Sequence, residues 1–348
     1  MQMKWNPLYI EDLQAAGKNF AEALSGKKFL ITGATGLIGS FVVDTLIWMN
    51  EACDAGVEIY AAGRNEAGIR SRFGEAADAA YFHYVPYDAR KPVQFDFMAD
   101  YVLHAACSAH PLAYSTDPVG TMQANLMGTM QLLEYVRTCE NARFIFLSTG
   151  ETYGENPDLE EGFSEESSGY INPMNPRSCY PESKRAAETL CASYGAQYGV
   201  DAMVARLCHV YGPTITAANS RADAQFLRKA LAGEDIVMKS TGAQVRSYCY
   251  VADAAAALFT LLLKGEKGNA YNVANRNTAN SIREYAEILA GVGGVNLTFD
   301  LPPEAELAGY TKITRAVLNP SKMEALGWNP VYSLQKGLEH TFKISREG

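Results

Sequence analysis

KKFLITGATGLIGSFVVDTLIWM, residues 27–49, reads as an apolar strand, a glycine-rich turn and an amphipathic helix in direct succession, the opening of a βαβ unit. Gly33, Gly36 and Gly39 stand in the turn at GxxGxxG spacing. Glycines there permit a tight turn and let a pyrophosphate come close to the helix N-terminus, where unpaired amides favour an anion. Thr35, Leu37 and Ile38 belong to the same turn and are read with it as dinucleotide-binding.

Outward from this unit, short apolar or β-rich runs recur at 57–63 (VEIYAAG), 81–88 (YFHYVPYD), 100–107 (DYVLHAAC), 142–149 (ARFIFLST) and 201–212 (DAMVARLCHVYG). Helical segments lie between several of them, notably 119–139 and 181–198. Strands that alternate with helices imply crossovers, and crossovers put helices on both faces of a parallel sheet. The pattern therefore predicts an α/β fold, a Rossmann doubly wound parallel sheet. After Gly212 it becomes less regular, with strands near 235–239 and 270–273 and helices near 222–232, 252–263 and 281–290. The expected organisation is a helical lead-in over 1–26 and an NAD(P)-binding domain over 27–212. A smaller C-terminal substrate-binding lobe over 213–348 is expected to be interleaved with the last strands of the sheet.

Hydrophobic residues make up 48%, charged residues 20% and aromatics 11% of 348 residues, which excludes a stapled miniprotein and a disordered chain. Thirty Lys and Arg against thirty-nine Asp and Glu give a net charge of −9, so no global basic field attracts nucleic acid. The longest apolar stretches, 37–49 and 251–263, carry Asp44 and Asp253. Both fall short of the roughly 18–20 residues that cross a bilayer. The opening MQMKWNPLYIEDLQ holds acids where a secretory leader needs an apolar run, and a cytoplasmic protein is expected. Seven cysteines without a CxxC pair fit reduced thiols and predict no metal site.

The second strand ends in AAGRN (61–65), so Gly63 and Arg64 stand where an acid would grip the adenosine ribose of NAD. Arg64 suits a 2′-phosphate, and hence NADP, or stacking on adenine with NAD held elsewhere. Asp88 and Ala89 follow the third strand at the adenine position, where Asp88 is equally suited to cap a turn. In SCYPESKRAAE (178–188), Pro181 suits a first helical turn, which puts Tyr180 and Lys184 on one side of a helix. An ammonium beside a phenol favours the phenolate. A phenolate can accept a hydroxyl proton while a nicotinamide takes hydride from the same carbon.

TGATGLIG (32–39), LHAA (103–106), LSTGETYG (147–154), YPESK (180–184) and YGP (211–213) together resemble the extended short-chain dehydrogenase/reductase superfamily, the NAD-dependent epimerases and dehydratases, from Lys27 to Trp328. Within it, NPMNPRSCYPESKRAAETL (172–190) and GAQVRSYCYVAD (242–253) are most similar to UDP-glucuronate decarboxylases of the UDP-xylose synthase type. The resemblance implies NAD held by the glycine turn, by His104, Ala105 and Ala106, and by Tyr180 and Lys184. It implies a redox site of Thr149, Tyr180 and Lys184, with Thr149 on the sugar O4, Tyr180 as base and Glu151 working at C5. Gly150 stands where 4,6-dehydratases carry an aspartic acid, and glycine delivers no proton. Arg221 and Arg246 match arginines that bind the substrate diphosphate. Arg315, 13 residues before Trp328, falls at the register of an arginine near the sugar carboxylate. His209 replaces an asparagine of the substrate phosphate region. A homodimer through the helices at 119–139 and at Tyr180 is implied as well.

The leading expectation is an enzyme that oxidises C4 of a nucleoside-diphosphate sugar with bound NAD, loses CO2 from a 4-keto glucuronate and returns the hydride, in polysaccharide precursor synthesis. An epimerase acting at C3, C5 or C4 and a 4,6-dehydratase-like enzyme share the first step. Arg64 keeps an NADPH-dependent reductase in play. A nucleotide-sensing protein on the same fold is the non-enzyme alternative, against which the intact Thr149, Tyr180 and Lys184 set argues.

Overall fold

Alternate residues of each central strand feed opposite hydrophobic cores, which is why the strands read as unbroken apolar runs. Phe29 and Ile31 pack into one core and Leu30 into the other; Ile145 and Leu147 join the first, Phe144 and Phe146 the second. These features come from a computed structural model that describes residues 6–107, 109–155, 162–301 and 314–347. The strands are β1 (Lys28–Thr32), β2 (Glu58–Gly63), β3 (Phe82–Pro86), β4 (Tyr101–His104), β5 (Arg143–Thr149), β6 (Asp201–Leu207), β7 (His209–Tyr211), β8 (Ile236–Met238), β9 (Val245–Tyr250), β10 (Ala270–Val273), β11 (Ala279–Ser281), β12 (Leu297–Phe299) and β13 (Arg315–Ala316). Seven form one parallel sheet in the order β10-β6-β5-β4-β1-β2-β3. The helices that concern the site are α1 (Pro7–Gly17), α2 (Leu37–Cys53), α3 (Glu66–Phe73), α4 (Pro111–Thr116), α5 (Pro118–Val136), α6 (Cys179–Tyr198), α7 (Ala222–Leu231) and α8 (Val251–Lys264).

The chain leaves β1 toward β2 on one side and pairs with β4 on the other, so the loops after β1 and β4 diverge and open a crevice at the carboxyl edge. Two backbones meet there. Gly33 has φ +68°, and a Cβ on it would lie 2.7 Å from the Ala105 carbonyl. A Cβ on Gly39 would lie 2.3 Å from the Gly33 oxygen, so the first turn of α2 rests directly on the turn before it.

The expected strand at 201–212 is two strands in two sheets. The break falls at Cys208, whose amide still donates to Val273 of β10 while His209 onward pairs with β9. A smaller sheet follows the order β11-β9-β13, with β7 also on β9. Among the described residues the lead-in is helical only over α1, which Asn6 caps by accepting from the amides of Leu8 and Tyr9; turns then run to Gly26. Residues 1–5 of the lead-in and 302–313 of the lobe lie outside the described residues. No helix among the described residues is long and apolar enough to cross a membrane.

Gly56, at φ +62° with open space around its missing Cβ, separates the two penalties that glycine avoids here. Gly56→Ala is expected to cost about 1 kcal/mol from backbone strain alone, and Gly39→Ala about 3 kcal/mol from the clash. Urea denaturation of both variants measures the difference.

Candidate active site

The first turn of α2 opens at Gly36 with no side-chain cap and no acid, so its amides present a positive end to the crevice. Across from it the Thr32 hydroxyl accepts from the Ala106 amide at 3.2 Å and contacts His104 Nδ1 at 2.9 Å. His104 is buried, and burial, reinforced by Lys184, pushes its pKa down to about 3. The neutral ring joins the ends of β1 and β4. Its position suits holding the loop of Ala105 and Ala106, not proton transfer. The glycine cradle and uncapped helix match a dinucleotide pyrophosphate.

At the adenosine end the expectations divide. Arg64 is exposed just past β2. Asp88 caps a turn instead of standing free: its Oδ1 accepts from the Arg90 amide at 3.0 Å, which lowers its pKa. Ala89 is buried beside Gly128 of α5, where a Cβ would approach the Ala89 methyl to 2.8 Å, so it acts as a packing surface.

Tyr180 and Lys184 sit on the buried face of the first turns of α6. The Tyr180 ring stacks on Tyr114 of α4, centroids 4.5 Å apart and planes 18° apart. The Thr149 and Tyr114 side chains beside its hydroxyl favour the phenolate. Burial is the larger influence, and with the charges of Cys107 and Glu151 it raises the Tyr180 pKa above that of a free phenol. The net shift in the protein alone is thus upward, although a nearby ammonium favours the phenolate. The Lys184 ammonium donates to the Leu147 carbonyl at 2.7 Å and lies 4.3 Å from the Phe146 ring centre, and burial lowers its own pKa.

Thr149 ends β5 and accepts from the Glu151 amide at 3.2 Å, which opens a tight turn that aims Glu151 outward. The Glu151 carboxylate pairs with Arg177 at 2.9 Å, and both side chains are more than a third exposed. Arg177 lies 4.5 Å over the Tyr114 ring, so guanidinium, Tyr114 and Tyr180 form a stack beside Glu151. A Cβ on Gly150 would touch the buried Leu318 side chain at 3.2 Å, which leaves no room for an acid at that position without displacement. Tyr114, Arg177 and Cys107 are the members that sequence reasoning missed. Arg177 had a signal, a cation three residues before Tyr180; the other two had none.

A second group gathers on β7 and β9, where His209 is in register with Tyr248. Arg246 Nη1 lies 3.2 Å from His209 Nε2. A guanidinium only donates, so Nε2 accepts and the imidazole carries its proton on Nδ1. Burial, then Arg246 and Arg221, hold His209 well below its ordinary pKa, consistent with that neutral form. Arg221 donates to Val210 O and Asp223, each at 2.9 Å. Buried Nε groups of Arg221 and Arg246 have no partner among the described residues, a cost that an anionic ligand would relieve. The two groups are joined beside Arg221, where the Leu112 amide of α4 donates to Ser220 at 3.2 Å. Arg315 joins the second group only through backbone, opposite Val245, with its side chain exposed. No cluster among the described residues has the ligands for a metal ion.

Comparison with known proteins places residues 29–274 in a match to the NAD dependent epimerase/dehydratase family. UDP-glucuronic acid decarboxylase 6 of Arabidopsis thaliana is 31% identical over 332 residues, 92% of this chain and 90% of the plant protein. The Thermus thermophilus UDP-glucose 4-epimerase, solved in complex with NAD, is 26% identical with a TM-score of 0.73, covering 92% of this chain and 99% of that one. The Thermotoga maritima UDP-glucose 4-epimerase, solved with UDP-glucose, shares the fold at a TM-score of 0.77 and 24% identity, covering 92% and 99%.

Because the His104 pKa falls to about 3 on folding, the unfolded chain binds a proton below about pH 6.5 that the folded protein refuses. Its contribution to stability is complete above pH 6.5 and drains away as the pH falls toward 3. Urea denaturation at pH 6.5 and 4.5 should show about 2–3 kcal/mol of acid loss traceable to this residue, absent from the His104→Gln variant.

Proposed function

From the premise that the chain belongs to the NAD dependent epimerase/dehydratase family, we propose that it is a nucleotide-sugar enzyme that decarboxylates UDP-glucuronate through transient oxidation at C4. The observation that carries this reading is the cluster of Thr149, Tyr180 and Glu151 beside a Gly150 that is closed over by Leu318. The cluster can take a proton from a sugar hydroxyl. It holds no acid in the place where a dehydratase protonates a leaving hydroxyl. The relative from Arabidopsis thaliana supports the same reaction class.

The Gly33–Gly39 turn and the 104–106 loop would hold NAD, which when bound would supply a hydride acceptor and a cationic ring. Tyr180 removes the O4 proton, with Thr149 hydrogen-bonded to the same oxygen. Its raised pKa with Lys184 already in place means that ionisation needs a further cation, which a bound oxidised nicotinamide would supply. A 4-keto group turns the C5 carboxylate into a β-keto acid, so CO2 leaves as electrons move into the carbonyl, and the resulting enolate takes a proton from solvent at C5, which restores the C4 ketone. Glu151, oriented by Arg177, faces C5, and Arg315 serves the carboxylate. Tyr180, protonated after the first step, returns its proton to O4 as the hydride comes back. Arg221 and Arg246 bind the diphosphate, with His209 fixing the Arg246 guanidinium. Arg64 leaves NADP as the alternative cofactor, a matter that mass spectrometry of the released nucleotide decides.

Incubation with UDP-glucuronate is expected to release CO2 and a UDP-pentose without net change in nicotinamide absorbance, and Tyr180→Phe to slow turnover by about 10²–10⁴-fold. A product of unchanged mass would overturn decarboxylation in favour of the 4-epimerase reading that the Thermus thermophilus relative supports.

We further propose a homodimer through α5. Val119, Met122 and Met130, at 66%, 39% and 43% exposure, recur at i, i+3 and i+11 on one face of it. Light scattering should give twice the 37.9 kDa chain mass for the wild type, and the mass of one chain for Met130→Glu.

A further inference from the structure

The helix α1 lies outside residues 29–274, yet it buries two polar side chains that reach opposite halves of the molecule. Tyr9, fully buried, donates to Asp44 of α2 at 2.5 Å, and Asp44 is paired with Arg72 of α3. One turn on, Asp12 is also fully buried and accepts three hydrogen bonds: from Tyr250 at 2.5 Å, Tyr332 at 2.7 Å and His340 Nδ1 at 2.8 Å. Tyr250 is the last residue of β9, and His340 lies on the C-terminal helix Leu334–Glu347. That helix is tied to α1 again by Asn6 to Glu347 at 2.7 Å and by Lys336 to Glu11 at 2.9 Å.

The two strands that carry Arg246 and His209 both end on this layer. Tyr211 of β7 and Tyr250 of β9 are a register pair. Tyr250 is anchored by Asp12, and Tyr211 lies against Gly337 of the C-terminal helix, where a Cβ would come within 2.2 Å of its hydroxyl. Residues 246, 248 and 250 share one face of β9 by the two-residue strand period. A shift of Tyr250 along or across the strand is therefore passed to Arg246, and through the 3.2 Å contact to His209. β7 has only three residues, so little of its own pairing holds it in place.

We infer that α1 is a strap that fastens the substrate strands to the dinucleotide helix, and that Asp12 is a positioning residue for Arg246 and His209. The part of this that concerns substrate rests on the nucleotide-sugar reading; the part that concerns the strands does not. A buried carboxylate with three donors is a strong anchor because every partner left behind by its loss is a desolvated group without a bond.

Two measurements test it on the full-length protein, hydrogen exchange and titration with UDP, each in Asp12→Asn and Tyr250→Phe. Tyr250→Phe withdraws one donor and leaves Asp12 with two, so it folds even where Asp12→Asn does not. Amides of residues 245–250 and 209–211 should exchange about tenfold faster, in line with the loss of one charge-assisted hydrogen bond, while β1, β4 and β5 keep their protection. The Kd for UDP should rise about tenfold with bound dinucleotide content unchanged. Lys343→Gln, which breaks only an exposed ion pair with Glu339 on the same C-terminal helix, should change neither by more than twofold. Exchange in β7 and β9 within twofold of wild type in Tyr250→Phe, with only thermal stability reduced, would overturn the strap. A wild-type protein that does not bind UDP would overturn the nucleotide-sugar reading instead, and the exchange result would still decide the strap.

Discussion

The close passage of two backbones at the carboxyl edge of β1 governs the rest of the molecule. Gly33 must come so near Ala105, and Gly39 so near Gly33, that no side chain has room. That contact fixes where α2 begins and therefore where its positive end points. It also brings Thr32 to His104 and the Ala106 amide, which sets the floor of the crevice. An apolar sheet alone would form without these contacts, since burial is not directional. The crevice would not, because its shape is defined by groups that are in contact only where glycine permits it.

Burial at the reacting centre works against the chemistry that the residue types suggest. Tyr180 and Lys184 are both removed from water, and each is pushed toward its neutral form, the phenol upward and the ammonium downward. A permanently ionised pair would pay the desolvation of two charges in every state of the protein. On the proposed chemistry, a neutral phenol that ionises only when a cationic ring lies beside it would tie proton removal to the presence of the hydride acceptor. The same logic holds on the facing strands. His209 is kept neutral by burial first and by two arginines second, so the positive charge in that group belongs to guanidinium groups, which do not titrate.

What could be read in the sequence is what the chain encodes locally. The strands and the glycine turn depend on neighbours a few residues away, and Tyr180 meets Lys184 through a helical repeat. Even there the strand expected over 201–212 hid a change of sheet, because Cys208 bonds to β10 with its backbone, which leaves no side-chain signature. Contacts set by topology were not legible. Tyr114 stacks on Tyr180 and Arg177 reaches Glu151 only because α4, the turn after β5 and the start of α6 converge. Asp12 is the extreme case, with partners 238, 320 and 328 residues away. Asp88 shows the opposite limit: its turn-capping bond to Arg90 is local, and the sequence offered it and the adenine contact on equal terms.

The choice among reactions that share a C4 oxidation rests on small steric facts more than on the shared residues. On the proposed reading Thr149, Tyr180 and Lys184 would serve every one of them. Gly150 would discriminate, because a side chain there would press on Leu318, which is itself held by a hydrogen bond from its amide to Ser247 on β9. The segment packed against Gly150 is thus bonded to the strand that carries Arg246. Arg315 lies three residues before it, on β13, paired in register with the same strand. One short sheet therefore places the Arg246 guanidinium, carries Arg315 at its edge and holds Leu318 against Gly150. A substitution in β9 would then alter binding and reaction course together, while one in β1 would act through the cofactor crevice alone.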